Sequence, residues 1–139
     1  FMKVELDLES GMRLAGKNES GQITYFDASE KHGGNNTAAS PMEIFLQAMG
    51  ACSAIDVLGI LRKKRKTINS FKVNIEGNRA DDFPKVFTDV KIIYEVNSPD
   101  VKKEEVEYAV KLSYDKYCSA MAMFVKSGCK IETVCKIIN

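Results

Sequence analysis

Four cysteines, at positions 52, 118, 129 and 135, are the residues of this chain best suited to covalent chemistry. Cys52 lies inside an apolar stretch, in Gly50-Ala51-Cys52-Ser53-Ala54, and Cys118 opens another, in Tyr117-Cys118-Ser119-Ala120-Met121. They are too far apart to form a local zinc pair. A buried helix gains nothing from a thiol that Ala or Val would not supply. At a helix start the macrodipole and the unpaired N–H groups favour a thiolate, so the Cys118 pKa is expected to be lowered. Two separated cysteines placed in this way have the pattern of a nucleophile and its resolving partner, which is thiol redox chemistry. The alternative is that each is a small core residue. Cys129 and Cys135 share a strand face and read as packing residues. With one histidine and no C-x-x-C pair, the chain offers no zinc pattern, and neither a metal nor another cofactor is expected.

The remaining candidates are weaker. His32 stands in a polar loop beside Gly33-Gly34, solvated or within reach of an active-site mouth. The run Arg62-Lys63-Lys64-Arg65-Lys66 complements a helix C-terminus and lacks the aromatic platform of an RNA surface. The loop 16–21 has neither the spacing nor the following helix of a phosphate cradle.

These residues need elements to position them. Val4, Leu6 and Leu8 alternate with charged residues and predict a strand. Residues 12–15 and 22–26 predict two more, and the polar, Gly-rich segment 27–39 a loop. Ser40-Pro41-Met42-Glu43 then satisfies several helix-start rules together: a capping serine, a proline at the first helical position, and a glutamate completing a capping box. The helix, expected to run to about Leu61, is apolar on nearly every side and so should be buried on every side. A single chain of this length can hardly wrap it, which implies a second subunit. Residues 71–75 and 86–96 predict two strands. Ser98-Pro99-Asp100 should start an amphipathic helix with Val101, Val106, Ala109, Val110 and Leu112 on its apolar side. Segment 118–125 predicts a further helix, and 129–138 a strand with Ile131, Thr133, Cys135 and Ile137 on one face. The order is β-β-β-α-β-β-α-α-β, an α+β domain spanning residues 1–139.

With 139 residues, 45% hydrophobic and 28% charged, the chain can bury a core of its own. A formal net charge of +1 gives no electrostatic reason to expect nucleic acid or an acidic membrane surface. No apolar stretch reaches the roughly 18 residues that span a bilayer. The start, Phe1-Met2-Lys3-Val4, runs straight into the strand pattern without an apolar leader. Four cysteines then suggest a reducing compartment, with the cytoplasm as the expected location.

From Ser40-Pro41-Met42-Glu43 through Ala51-Cys52-Ser53, with Cys118 opening a late helix, the chain resembles the OsmC/Ohr family, the osmotically inducible and organic hydroperoxide resistance proteins. The Gly-Gly loop and S-P-M-E start look closest to its YhfA-like branch. The resemblance implies an intertwined homodimer with the long helices packed between the sheets of both subunits. It also implies a cysteine-based peroxidase acting in oxidative stress, with Cys52 peroxidatic and Cys118 resolving. On this cycle Cys52 becomes a sulfenic acid, a Cys52–Cys118 disulfide is formed, and an external dithiol resets it. Ohr-type members carry a Glu just after the helix-start Pro, and an Arg in the N-terminal strands, to activate the thiolate. Here Met42 occupies the Glu position and Glu43 comes next, about 100° further around the helix; Arg13 and Lys17 are the cations near the Arg position. Walls of Met42, Phe45, Met49, Met121 and Phe124 would suit a small apolar hydroperoxide. The alternative on the same dimer is a non-catalytic small-molecule binding protein.

Overall fold

Alternation in the first 26 residues produces an antiparallel sheet in the order β1-β2-β3, from β1 (Val4–Ser10), β2 (Arg13–Asn18) and β3 (Ile23–Phe26). The computed structural model describes residues 1–139, which divide into two compact units, Phe1–Phe45 and Leu46–Asn139. In the first unit, Leu8 pairs with Leu14 and Asp7 with Ala15. Gly11, at φ +53°, turns the chain between β1 and β2. Val4, Leu6 and Leu8 are all exposed, so β1 has an apolar face that this chain does not bury.

The loop 27–39 is tied down by one carboxylate. Asp27 is buried and accepts from Ala28 N at 2.7 Å, Thr37 N at 3.0 Å and Thr37 Oγ1 at 2.6 Å. The Thr37 hydroxyl contributes most to a carboxyl pKa lowered to about 2, and backbone N–H donors add to it against the opposing effect of desolvation. Gly34 closes the loop because a Cβ there would strike the backbone of Ala28. At the loop's end the expected capping box is formed: Ser40 N donates to Glu43 Oε1 at 2.9 Å, and Glu43 N donates to Ser40 Oγ at 3.3 Å.

This box opens α1 (Pro41–Lys63). Its buried residues Met49, Gly50, Ser53, Val57 and Leu61 recur every three or four positions and form one stripe. Ile55, in contrast, is 70% exposed. All-round apolarity therefore does not mean all-round burial within one chain. The expectation that no apolar stretch could span a bilayer is also corrected: by length and composition alone, α1 is long and apolar enough to cross a membrane. Gln47, Ser53 and Asp56 break the apolar run in the sequence, whereas the helix continues through them. The core helix of a globular protein meets the same criterion, and α1 buries 28% of that apolar stretch in this chain.

The second unit is built on a sheet in the order β4-β5-β6, from β4 (Ser70–Arg79), β5 (Phe87–Asn97) and β6 (Lys130–Ile137). β4 and β5 are antiparallel, but β5 and β6 are parallel, so the chain between them must cross over. That crossover contains α2 (Lys103–Leu112), a π-helical turn (Ser113–Tyr117) and α3 (Ser119–Lys126), with both helices packed on β6. The central strand β5 buries Val90, Ile92, Tyr94 and Val96 on one face. α1 approaches the sheet closely because Gly50 has no side chain; a Cβ there would meet Ile75 of β4.

The start of α2 differs from the sequence expectation. Ser98 Oγ accepts from Asp100 N at 3.2 Å and Val101 N at 3.1 Å, while Asp100 Oδ1 accepts from Thr67 N at 3.0 Å. The Ser-Pro-Asp segment is thus a turn tied to the chain just after α1. The helix itself begins beyond Lys102, whose N–H donates to Glu105 Oε1 at 3.1 Å.

Candidate functional site

All four cysteines carry free thiols. Cys52 is half-buried on α1, next to Ser53 of the buried stripe. Cys118, 2% exposed, is the N-cap of α3. Its Sγ accepts from Met121 N at 3.3 Å, and its S–H points to the Met49 carbonyl at 3.9 Å. Its own N–H donates to the Ser113 carbonyl at 2.8 Å. Cys52 and Cys118, 66 residues apart in sequence, are near enough for the Cys52 side chain to act on the Cys118 thiol.

The Cys118 thiol is pushed up to about 11, opposite to the direction expected for a helix start. Burial is the main cause. The Met121 N–H pulls the pKa down, as a capping donor should, but the Cys52 side chain and the charge of Asp56 act with burial. The local signal is real, and tertiary burial outweighs it.

Around the pair runs a line of buried polar groups that the sequence pattern does not bring together. Ser53 Oγ and Tyr94 OH are 2.6 Å apart, Ser113 Oγ and Ser53 Oγ 2.9 Å, and Ser113 Oγ and Asp56 Oδ2 2.9 Å. A carboxylate only accepts and each hydroxyl has one proton to donate. Ser113 Oγ is therefore the donor that Ser53 Oγ and Asp56 Oδ2 share, and the Ser53–Tyr94 bond can run either way. Burial, above all, raises the Tyr94 phenol to about 12, which keeps its O–H protonated. Ser53 and Asp56, as polar interruptions three apart on an apolar helix, are the one sequence signal of this line. Nothing local marks Tyr94 or Ser113 as their partners.

Cys129 and Cys135 lie elsewhere in the same unit. Cys129 is buried just before β6, its S–H directed at the Lys130 carbonyl at 3.7 Å, and burial first, then Asp89, raises its pKa. Cys135 is half-buried on β6, opposite Tyr94. Its thiol is pushed up to about 11, mainly by burial and further by Glu107, with Lys103 opposing. It borders a cavity of about 570 Å³ lined by residues of α2, the π-helical turn and β6, including Lys103, Glu107, Tyr114 and Thr133.

The other sequence candidates occupy the first unit, where three of them have defined partners. Arg13 Nε donates to Glu9 Oε1 at 2.8 Å, its Nη1 donates to Thr37 Oγ1 at 3.0 Å, and its guanidinium lies 4.4 Å from the Tyr25 ring centroid. Glu43 holds the capping box, which also lowers its carboxyl pKa, chiefly through the Ser40 N–H. His32 Nδ1 is 2.9 Å from Ser29 Oγ at the protein surface. Lys17 is exposed on β2, opposite Glu5 and Ile23, and Met42 is half-buried in the first turn of α1. Of the expected pocket walls, Met49 and Met121 are fully buried and Phe124 nearly so, stacked on Phe87 with ring centroids 5.7 Å apart. Backbone groups of Met49 and Met121 contact the Cys118 sulfur, while Phe45 is half exposed. No group of three or more His, Cys, Asp or Glu side chains is arranged to hold a metal ion.

A family model described as "OsmC-like protein" matches residues 33–134, a span that contains both Cys52 and Cys118. The chain is 34% identical over 126 residues to Protein YhfA of Escherichia coli (strain K12), covering 91% of each. A crystal structure of a hypothetical protein from Aquifex aeolicus VF5 superposes with a TM-score of 0.81 at 33% identity, covering 100% of this chain and 98% of that one. The organic hydroperoxide resistance protein OhrB of Bacillus subtilis shares the fold, with a TM-score of 0.62 at 15% identity over 97% of each chain.

Proposed function

The chain belongs to the OsmC-like family, and from that premise we propose that it is a cysteine-based peroxidase for organic hydroperoxides. The observation that carries the reading is the nearness of two free thiols, Cys52 on α1 and Cys118 at the cap of α3, the first acting on the second. Their exposure suits an asymmetric pair. Half-buried Cys52 is the thiol that a small molecule reaches, and Cys118 waits beneath it.

In the first step the Cys52 thiolate attacks the terminal oxygen of R–O–OH. The O–O bond breaks, the sulfur is oxidised by two electrons to Cys52–SOH, and the peroxide leaves as an alkoxide that is protonated to the alcohol. Cys118 then attacks the sulfenic sulfur. The S–S bond forms, the S–O bond breaks, and the hydroxyl leaves with the Cys118 proton as water. An external dithiol reduces the disulfide and returns both thiols. The cycle needs no metal or organic cofactor. In this reading residues 1–139 act as a single domain, in the cytoplasm.

The acting form is a homodimer. Exposed Val4, Leu6 and Leu8 on β1 and exposed Ile55 on α1 are apolar faces that a second copy would cover. Sedimentation at micromolar concentration should give twice the 15.5 kDa chain mass; a stable monomer would remove that part of the reading.

One observation favours the other reading, a non-catalytic small-molecule binding protein: three of the four thiols have raised pKa values, as inert packing cysteines do. Peroxide consumption decides between the two. Purified protein given organic hydroperoxide without reductant should consume about one equivalent per chain, and turn over repeatedly once a dithiol is added. No consumption would favour the binding protein.

A further inference from the structure

We propose that Ser113 is a positioning residue for disulfide closure, joining the helix that carries Cys52 to the backbone of Cys118. The inference deepens the peroxidase cycle and rests on that reading for its biological role. Ser113 has two attachments that point to the two cysteines. Its carbonyl accepts the Cys118 N–H at 2.8 Å, which fixes the residue that caps α3. Its hydroxyl lies 2.9 Å from both Ser53 and Asp56, which stand one and four positions after Cys52 on α1.

The placement in the chain strengthens the inference. Ser113 is the first residue of the π-helical turn that separates α2 from α3, where the helical hydrogen-bond pattern changes and the backbone is free to re-aim the start of α3. It is fully buried, as are Ser53 and Tyr94, so water does not compete for these bonds. Its hydroxyl is the donor to both groups on α1, so this one side chain ties the π-helical turn to the helix that carries Cys52. Disulfide closure needs such an arrangement, because the sulfur of Cys118 must approach the Cys52 sulfur along the S–O axis. Oxidation of Cys52 by peroxide needs no such alignment with Cys118. Ser113 should therefore govern the second step and leave the first alone.

Ellman's reagent separates this proposal from the peroxidase reading, since it needs no peroxide. In full-length protein with Cys129→Ser and Cys135→Ser, reaction at Cys52 releases one thionitrobenzoate. Attack by Cys118 on the mixed disulfide then releases a second and closes the bond. Ser113→Ala should leave the first phase within about twofold and slow the second about tenfold or more, the scale of effect that sub-ångström misplacement of reacting groups produces. Ser113→Thr, which keeps the hydroxyl, should restore the second phase. Ser53→Ala cuts the line one link further away and should give a smaller slowing, which keeps the test open if Ser113→Ala does not fold. Peroxide in place of Ellman's reagent should reproduce the split, with dimedone-trapped sulfenic acid accumulating in Ser113→Ala. A wild-type second-phase rate in folded Ser113→Ala, or in Ser53→Ala if the former fails to fold, would overturn the proposal. Two normal phases in the parent protein without peroxide consumption would instead overturn the peroxidase reading and leave the positioning role standing.

Discussion

Two pairs of cysteines sit in the same unit of this protein and have different surroundings. Cys52 and Cys118 come from helices distant in sequence, are near enough for one to act on the other, and are flanked by the Tyr94–Ser53–Ser113–Asp56 hydrogen-bond line. Cys129 and Cys135 are close in sequence, lie at or on β6, and have neighbours from their own strand and from α2. Burial raises the pKa of Cys118 and Cys135 to the same value of about 11, so acidity does not separate the pairs. What separates them is the partner: a second sulfur in one case, a backbone carbonyl or packing side chains in the other. Thiol chemistry is therefore better sought in which residues the tertiary fold brings together than in the environment of each cysteine alone.

The largest effects should come from breaking the first pair. Cys52→Ser should abolish peroxide consumption, including the first equivalent. Cys118→Ser should consume about one equivalent and then stall as sulfenic acid or over-oxidise. Cys129→Ser and Cys135→Ser should keep wild-type turnover. Equal loss of the first equivalent in Cys52→Ser and Cys118→Ser would show that the roles are misassigned.

Labelling sharpens the same comparison by a smaller margin. At pH 8 a thiol with a pKa of about 11 is ionised to roughly one part in a thousand. Iodoacetamide should then modify half-buried Cys52 first, with Cys118 and Cys135 lagging and their rates still rising as pH approaches 11. Peptide mapping reads the order directly, and prior labelling of Cys118 would contradict the account of burial.

The N-terminal unit supplies a contrast without cysteines. Asp27 is held at about 2, below its ordinary 3.8, by donors that stabilise its charged form. An unfolded chain thus binds this proton more tightly than the folded one, and the stabilisation is present above pH 3.8 and lost as pH falls towards 2. Thermal melts across pH 2–6 should show wild type losing stability in that window more steeply than Asp27→Asn. The smallest effect should belong to Tyr94→Phe, which removes the hydroxyl bonded to Ser53 and should cost about 1 kcal/mol in urea unfolding.

Legibility in the sequence tracks how far apart the interacting residues are. The capping box at Ser40 and Glu43 spans three residues, and both its hydrogen bonds are readable from the sequence. So is the helix that Cys118 caps, because the apolar run and the Ser-Gly stop lie within a dozen residues. The α2 start is misread because Ser98 and Asp100 have the look of local caps, whereas Asp100 is engaged by Thr67, 33 residues earlier. The hydroxyl line lies further still from view: Ser53 meets Tyr94 across 41 positions and Ser113 across 60. The pKa of Cys118 shows the same division, its lowering by Met121 N–H being local and its raising by burial not.

The central claim is that the first pair, and not the second, is the redox pair. Mass spectrometry after one equivalent of organic hydroperoxide, with thiols blocked at acid pH before digestion, tests it most directly. The account predicts a Cys52–Cys118 disulfide in wild-type protein, with Cys129 and Cys135 recovered as blocked thiols. A Cys129–Cys135 disulfide, or four free thiols after exposure, would contradict it.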